Sequence, residues 1–272
     1  MTTSIADPVE AIVNLYCQKL KLPGLRSAYP AIAREATNQG QSYTAFLSAC
    51  LAQEMESRRQ HRLKTRLRQA RFPVTKSLDN FDFLLLPQLP KVKVLELAEG
   101  LFIPKRENVV CLGNPGTGKT HVAVALGISA IAAGHRVRFI STLTLAQELL
   151  QAQQQYRLPR YLAAWRKIDL VILDELGYIG LGPAGPLLFQ FCAERYERGS
   201  LLITTNLDFS RWGEVFGDVT LATALLDRLT HHAHILLFNG ESYRFRQSRK
   251  RVKGVVSDSQ RSKEEVKDSS KQ

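Results

Sequence analysis

The sequence predicts an α/β fold in which a mostly parallel sheet is flanked by helices and preceded by a small all-helical N-terminal domain. Three observations predict it. Short strand-like segments recur at residues 108–112, 136–141, 170–173, 200–205 and 235–238, and the run at 170–173 is wholly aliphatic and too short for a helix. Stretches with helical spacing separate them, the pattern of strands joined by right-handed crossovers with helices on both faces. The first run enters a glycine-rich string, GNPGTGKT from Gly113 to Thr120, which opens directly into a helical stretch.

From the start of the chain, residues 9–20 form a first amphipathic helix, expected to be broken by Pro23-Gly24, and residues 26–38 form a second before Gly40. Ser42 can cap a third helix with no breaker before Pro73, about 30 residues or ~45 Å long. Its first half places Phe46, Leu47, Cys50, Leu51 and Met55 on a core-facing stripe, and its second half is basic. From Arg58 to Lys76 stand eight Lys or Arg and no Asp or Glu. Such a block repels itself unless anions neutralise it, so Arg58, Arg59, Arg62, Lys64, Arg66, Arg68 and Arg71 are the candidate contacts to a polyanion. Residues 1–72 thus make a helical domain with a basic arm. Residues 73–90, mixing Pro, Asp and aromatics without a period, make a connector.

The nucleotide domain is expected over residues 91–243. A helix at 91–99, closed by Gly100, precedes the first strand; Leu101, Phe102 and Ile103 are candidates either for a base pocket or for core. After the glycine-rich string come a helix at 121–133 with Gly134 at its C-cap, the second strand, and helices at 142–155 and 161–167. The third strand ends in Asp174-Glu175, residues 185–198 fill a crossover, and the fourth strand ends at Asn206. A helix at 221–233 carries Arg228 and leads to the last strand. Residues 244–272 form a basic polar tail, expected to be disordered.

The chemistry follows from residue types at fixed spacing. GNPGTGKT satisfies the phosphate-loop template G-x-x-x-x-G-K-[ST], in which backbone N–H groups and a helix N-terminus converge on phosphates. Gly113, Asn114, Pro115, Gly116, Thr117, Gly118, Lys119, Thr120 and His121 are accordingly the nucleotide-binding residues. Lys119 reaches the β- and γ-phosphates, and the Thr120 hydroxyl joins a Mg²⁺ that bridges them. A buried parallel strand delivers carboxylates to the crevice where such sheets bind ligands. In this Walker B pattern Asp174 holds Mg²⁺ through water, and Glu175 polarises the water that attacks the γ-phosphate. Asn206, at the next strand's tip, can orient the same water or can simply begin a turn. Arg228 is a candidate guanidinium for a neighbouring subunit's γ-phosphate, with a solvated helix face or a pair with Asp227 as the alternative.

Composition narrows the rest. At 272 residues and 44% hydrophobic content the chain can hold one α/β domain and a smaller piece. No run of eighteen apolar residues and no signal-peptide pattern is present, which points to a cytoplasmic protein without a membrane segment. Cys17, Cys50, Cys111 and Cys192 lack paired spacing and are expected to be buried, reduced thiols. The net charge of +12 resides at the ends: residues 1–76 carry 12 basic and 5 acidic side chains, 77–243 carry 15 and 16, and 244–272 carry 10 and 4.

Several longer strings carry a resemblance: LKLPGLRSAYPAIAREA, QARFPVTKSLDNFDF, GNPGTGKTHVAVALG, VILDELGY, ERYERGSLLITTNLDFSRWGEVFGD and LLDRLTHHAHIL. Together they resemble the IstB family of insertion-sequence transposition helper ATPases, similar in turn to DnaC-type helicase loaders of the AAA+ class. The resemblance extends to about Gln247. It implies a P-loop AAA+ core that binds ATP and Mg²⁺, a homo-oligomer on double-stranded DNA, and a partner transposase of the same element that it stimulates without cutting DNA itself. By position Lys119 and Thr120 match Walker A, Asp174 and Glu175 Walker B, Asn206 sensor 1 and Arg228 the arginine finger. About thirty polar residues follow the last strand, too few for a full helical lid, which leaves Arg244 or Arg246 as the sensor 2 candidates. A replicative helicase loader is the alternative function on the same core.

Overall fold

The computed structural model describes residues 8–178, 180–243 and 245. It divides into two compact units between Arg66 and Leu67.

The first unit contains α1 (Pro8–Lys19), α2 (Pro23–Asn38) and the start of α3 (Tyr43–Ala70). Pro23-Gly24 does not separate two helices; it forms the first turn of α2, where a proline forfeits no helical hydrogen bond. The break falls just before it, with Lys21 in the left-handed region at φ 55°. Glu54 of α3 serves that helix start. Its buried carboxylate accepts from the Leu25 N–H at 3.0 Å and from Arg58 Nε at 2.7 Å. Burial pushes its pKa up, but these hydrogen bonds outweigh burial and the net shift is downward. Of the expected apolar stripe on α3, Cys50 is buried, whereas Leu47, Leu51 and Met55 are 54%, 48% and 71% exposed. Three helices of this size enclose little volume, and among the described residues Cys17, Ala36 and Cys50 are the buried apolar side chains of this unit.

The second unit runs α4 (Lys91–Ala98), β1 (Asn108–Gly113), α5 (Lys119–Ala132), β2 (Val137–Ser141), α6 (Thr142–Gln154), α7 (Leu158–Trp165) and β3 (Leu170–Leu176). It continues through α8 (Gly185–Arg195), β4 (Ser200–Thr205), α9 (Trp212–Phe216), α10 (Val219–Thr230) and β5 (Ala233–Phe238). The sheet order is β2-β3-β4-β1-β5, and every neighbouring pair is parallel. That arrangement explains the uninterrupted aliphatic runs. Strands covered on both faces need apolar residues at consecutive positions, and Val109, Val110 and Cys111 of β1 are all fully buried.

Alternate residues of β3 serve the two faces. Val171 and Leu173 join Leu201 and Ile203 of β4 in a core with Leu145 and Leu149 of α6, Phe191 of α8, Trp212 of α9 and Leu225 of α10. Ile172 points the other way and reaches α5 at Gly127, beside Phe72. Arg195 ties the far end together from a buried position. Its guanidinium donates to the carbonyls of Trp165 and Ile168 at 3.0 Å and of Ser200 at 3.4 Å. Burial lowers its pKa to about 10.

Both ends of α10 differ from the sequence expectation. Asp218 caps α10 by accepting from the Thr220 and Leu221 N–H groups at 2.7 and 3.1 Å, so the helix starts earlier than residue 221. It ends at Thr230, and Ala233 already belongs to β5. Among the described residues no helix is long and apolar enough to cross a membrane.

Candidate functional site

β1 ends in Gly113, where a side chain would collide with the Phe238 backbone of neighbouring β5. The loop then turns over and closes on Gly118, the N-cap of α5 at φ 98°, a conformation strained for residues with a Cβ. Lys119 is the first residue of the helix and only 6% exposed. Its ammonium donates to the Gly113 and Asn114 carbonyls, both at 2.7 Å, so the charge is held over the loop. The Thr117 hydroxyl donates to the Asn114 carbonyl at 2.7 Å, and the Tyr243 N–H donates to the Gly116 carbonyl at 3.0 Å.

The parallel registers bring three other strand ends to the same edge. Ser141 pairs with Asp174, and Thr205 pairs with both Leu112 and Leu176, which places Asp174, Glu175 and Asn206 level with the glycine loop. The Thr120 hydroxyl donates to Asp174 Oδ1 at 2.9 Å. The Thr204 hydroxyl donates to that same oxygen at 2.6 Å and accepts from the Glu175 N–H at 2.9 Å. Thr142 Oγ1 holds the Asp174 carbonyl at 2.9 Å. Asp174 is buried, whereas Glu175 is exposed and has φ 61°. Asn206 Oδ1 is buried without a hydrogen-bond partner, an acceptor that a donor such as water would satisfy.

This donor set fits a hard cation only jointly with a ligand. Thr120 and Asp174 supply oxygens of the kind Mg²⁺ takes, while among the described residues no group of three His, Cys, Asp or Glu could hold a metal alone. Phosphate oxygens and water would have to complete the shell.

Sequence reasoning missed the two threonines and the wall beside the loop. The Phe81 ring lies against Gly118 and meets the His121 ring edge-on at 5.2 Å, and His121 Nε2 is 2.8 Å from the Ser77 carbonyl. The aromatics of the DNFDF string were the available signal. Leu101, Phe102 and Ile103 are not in this wall. The preceding Gly100 neighbours Ala133 and His135 past the far end of 14-residue α5, about 21 Å from the loop at 1.5 Å per residue, and Phe102 and Ile103 are core.

Arg228 also lies away from the loop. It is in the last turn of α10, one residue before Leu229, whose carbonyl accepts from Asn108 Nδ2 at 3.1 Å at the start of β1. A six-residue strand, about 20 Å, separates that edge from Gly113. The guanidinium lies over the Phe189 ring at 5.2 Å rather than in a pair with Asp227. On α3, Arg58 is tied to Glu54 and to the Lys21 carbonyl, and Arg59 pairs with Glu56 at 2.7 Å, which holds the Glu56 carboxyl down to about 2. The acids that partner the first two arginines stand just ahead of the basic run. Arg62, Lys64 and Arg68 are exposed, as is Arg71 just beyond the helix, and Arg66 is half-buried. Arg244, Arg246 and the 246–272 tail lie outside the described residues.

An all-parallel five-stranded sheet with its phosphate loop and acidic strand tip at one edge is the architecture of a P-loop α/β domain. Its fold is similar to that of AMPPCP-bound DnaA from Aquifex aeolicus, with 19% identity and a TM-score of 0.53 over 68% of this chain and 56% of that one. It is also similar to DnaI, with 19% identity and a TM-score of 0.50 over 61% of this chain and 89% of that one. The model of the IstB-like ATP binding protein family matches residues 16–251, and the chain belongs to that family. Relatives include an insertion sequence IS21 protein of Pseudomonas aeruginosa named for ATP binding, 42% identical over 88% of this chain and 90% of that protein. An IS5376 protein of Geobacillus stearothermophilus named likewise is 38% identical over 87% of this chain and 95% of that protein.

Proposed function

We propose that the chain is an ATP-hydrolysing helper of DNA transposition. It assembles on double-stranded DNA and stimulates or targets the transposase of its own insertion sequence. The observation that carries the catalytic half is the convergence of Lys119, Thr120, Asp174, Glu175 and Asn206 at one sheet edge, with Thr120 and Asp174 already in contact at 2.9 Å. In this reading the loop N–H groups and Lys119 bind the phosphates, and Thr120 and Asp174 would hold Mg²⁺, which would supply charge neutralisation there. Glu175, on the solvent side of Asp174, accepts the proton of the attacking water that Asn206 orients.

Arg228 supports an assembly of several copies. The α10 end is about a strand length from its own loop, so a guanidinium there can serve phosphates only on another protomer. The exposed Arg62, Lys64, Arg68 and Arg71 supply charge for duplex phosphates, a largely sequence-blind mode of binding. The insertion-sequence origin of the relatives supports a transposase as the partner. The test is phosphate release by the purified protein with and without duplex DNA and the transposase of the same element. Stimulation by both is expected. Absence of turnover under all conditions, or capture of a replicative helicase in place of the transposase, would overturn the reading.

A further inference from the structure

The pairing of β3 with β4 slips at the acidic tip. Leu173 pairs with Ile203 and Leu176 with Thr205, so three steps on β3 are matched by two on β4. A bulge of this kind takes a backbone N–H out of the ladder and re-aims the side chain that follows it. The residue caught in it is Glu175, whose φ of 61° is unusual for a residue with a Cβ. Its N–H finds a side chain instead of a strand carbonyl: the Thr204 hydroxyl, at 2.9 Å. That hydroxyl spends its one hydrogen on Asp174 Oδ1 at 2.6 Å, and Thr204 is 1% exposed, so solvent does not compete for it.

We infer that Thr204 is a positioning residue for hydrolysis. Its hydroxyl links the carboxylate of Asp174 to the backbone of Glu175 and thereby fixes the two acids relative to one another. The inference rests on the ATPase reading above and deepens it. Thr120 also donates to Asp174 Oδ1, but the Glu175 N–H goes to Thr204, so the Thr120 hydroxyl does not join the two acids. Thr204 is buried, and its hydroxyl meets both acids at once. A simpler role, filling a buried strand position, would need the methyl group and not the hydroxyl, and the two are separable by substitution.

Thr204→Val keeps shape and strand preference but removes the donor and acceptor together. Thr204→Ala removes the hydroxyl without risk of overpacking, and Thr204→Ser keeps it. With saturating ATP, turnover is expected to fall on the order of a hundredfold in the Val and Ala variants, the scale of an ångström's misplacement of a reacting group. Affinity for a fluorescent ATP analogue should stay within about threefold, because neither Lys119 nor the loop is touched, and Thr204→Ser should restore turnover. Hydrogen exchange at the Glu175 amide gives a readout independent of turnover: slow in the wild type and Thr204→Ser, fast in Val and Ala. Wild-type turnover in a folded Val or Ala variant, loss of turnover in Thr204→Ser, or unchanged Glu175 exchange would each overturn the inference. A wild-type protein that binds ATP but never hydrolyses it would overturn the ATPase reading, and the exchange result would still decide whether Thr204 holds Glu175.

Discussion

Glu175 and Asp174 are adjacent in sequence yet live in different surroundings: Asp174 is buried and accepts two hydroxyl hydrogen bonds, while Glu175 is turned toward solvent by the bulge. Two carboxylates so separated can divide the work of holding a cation and accepting a proton. Glu175→Gln should therefore retain ATP binding and lose hydrolysis by a factor of about 10²–10⁴, the contribution of a positioned general base. Parallel measurements of nucleotide affinity and phosphate release check this, and undiminished release would remove Glu175 from the reaction. These two acids were legible because they end an aliphatic run downstream of a phosphate loop. Thr204 was not, because threonine within SLLITT reads equally as ordinary strand preference. Only the register slip reveals that its hydroxyl has a job.

At the scale of elements, the strands of the second unit were readable from length and composition, most plainly where burial on both faces demands unbroken apolar runs as in β1, while the short α9 in the last crossover was not. The helix starts were less readable. The early starts of α2 and α10 depend on Glu54 and Asp218, and Glu54 comes from a helix far along the chain, beyond the reach of a local pattern. Arg195 is similar: a charge at the end of α8 looks solvated in sequence but is enclosed by carbonyls of the α7–β3 turn and β4. Arg195→Ala should cost roughly 2–4 kcal/mol in urea unfolding, because charge-assisted hydrogen bonds are lost together with packing. A loss near zero would mean that water replaces the guanidinium at no cost. On α3 Arg58 and Arg59 pair with acids of the same helix, whereas Arg62, Lys64 and Arg68 are exposed. Replacing Arg62, Lys64 and Arg68 by alanine should flatten the dependence of log affinity for duplex DNA on log salt by about three units. The same change at Arg59, which is held by Glu56, should do less. Equal effects would put the DNA contact elsewhere.

For the whole molecule, the separation of Arg228 from its own loop has a consequence no single protomer can display. Arg228→Ala should leave ATP affinity intact but abolish turnover, and Lys119→Ala should abolish turnover by loss of phosphate binding. Mixed together, the two inactive proteins should regain activity at sites where one supplies Lys119 and the other Arg228. No recovery on mixing would return Arg228 to a local role against Phe189. The most direct measurement is electron microscopy of the purified protein with duplex DNA, in the presence and absence of a non-hydrolysable ATP analogue. Ordered multimers around the duplex that form with the analogue and disperse without it are the result expected here. Protomers that remain single and off the DNA in both conditions would contradict the proposal that ATP joins copies of this chain on double-stranded DNA.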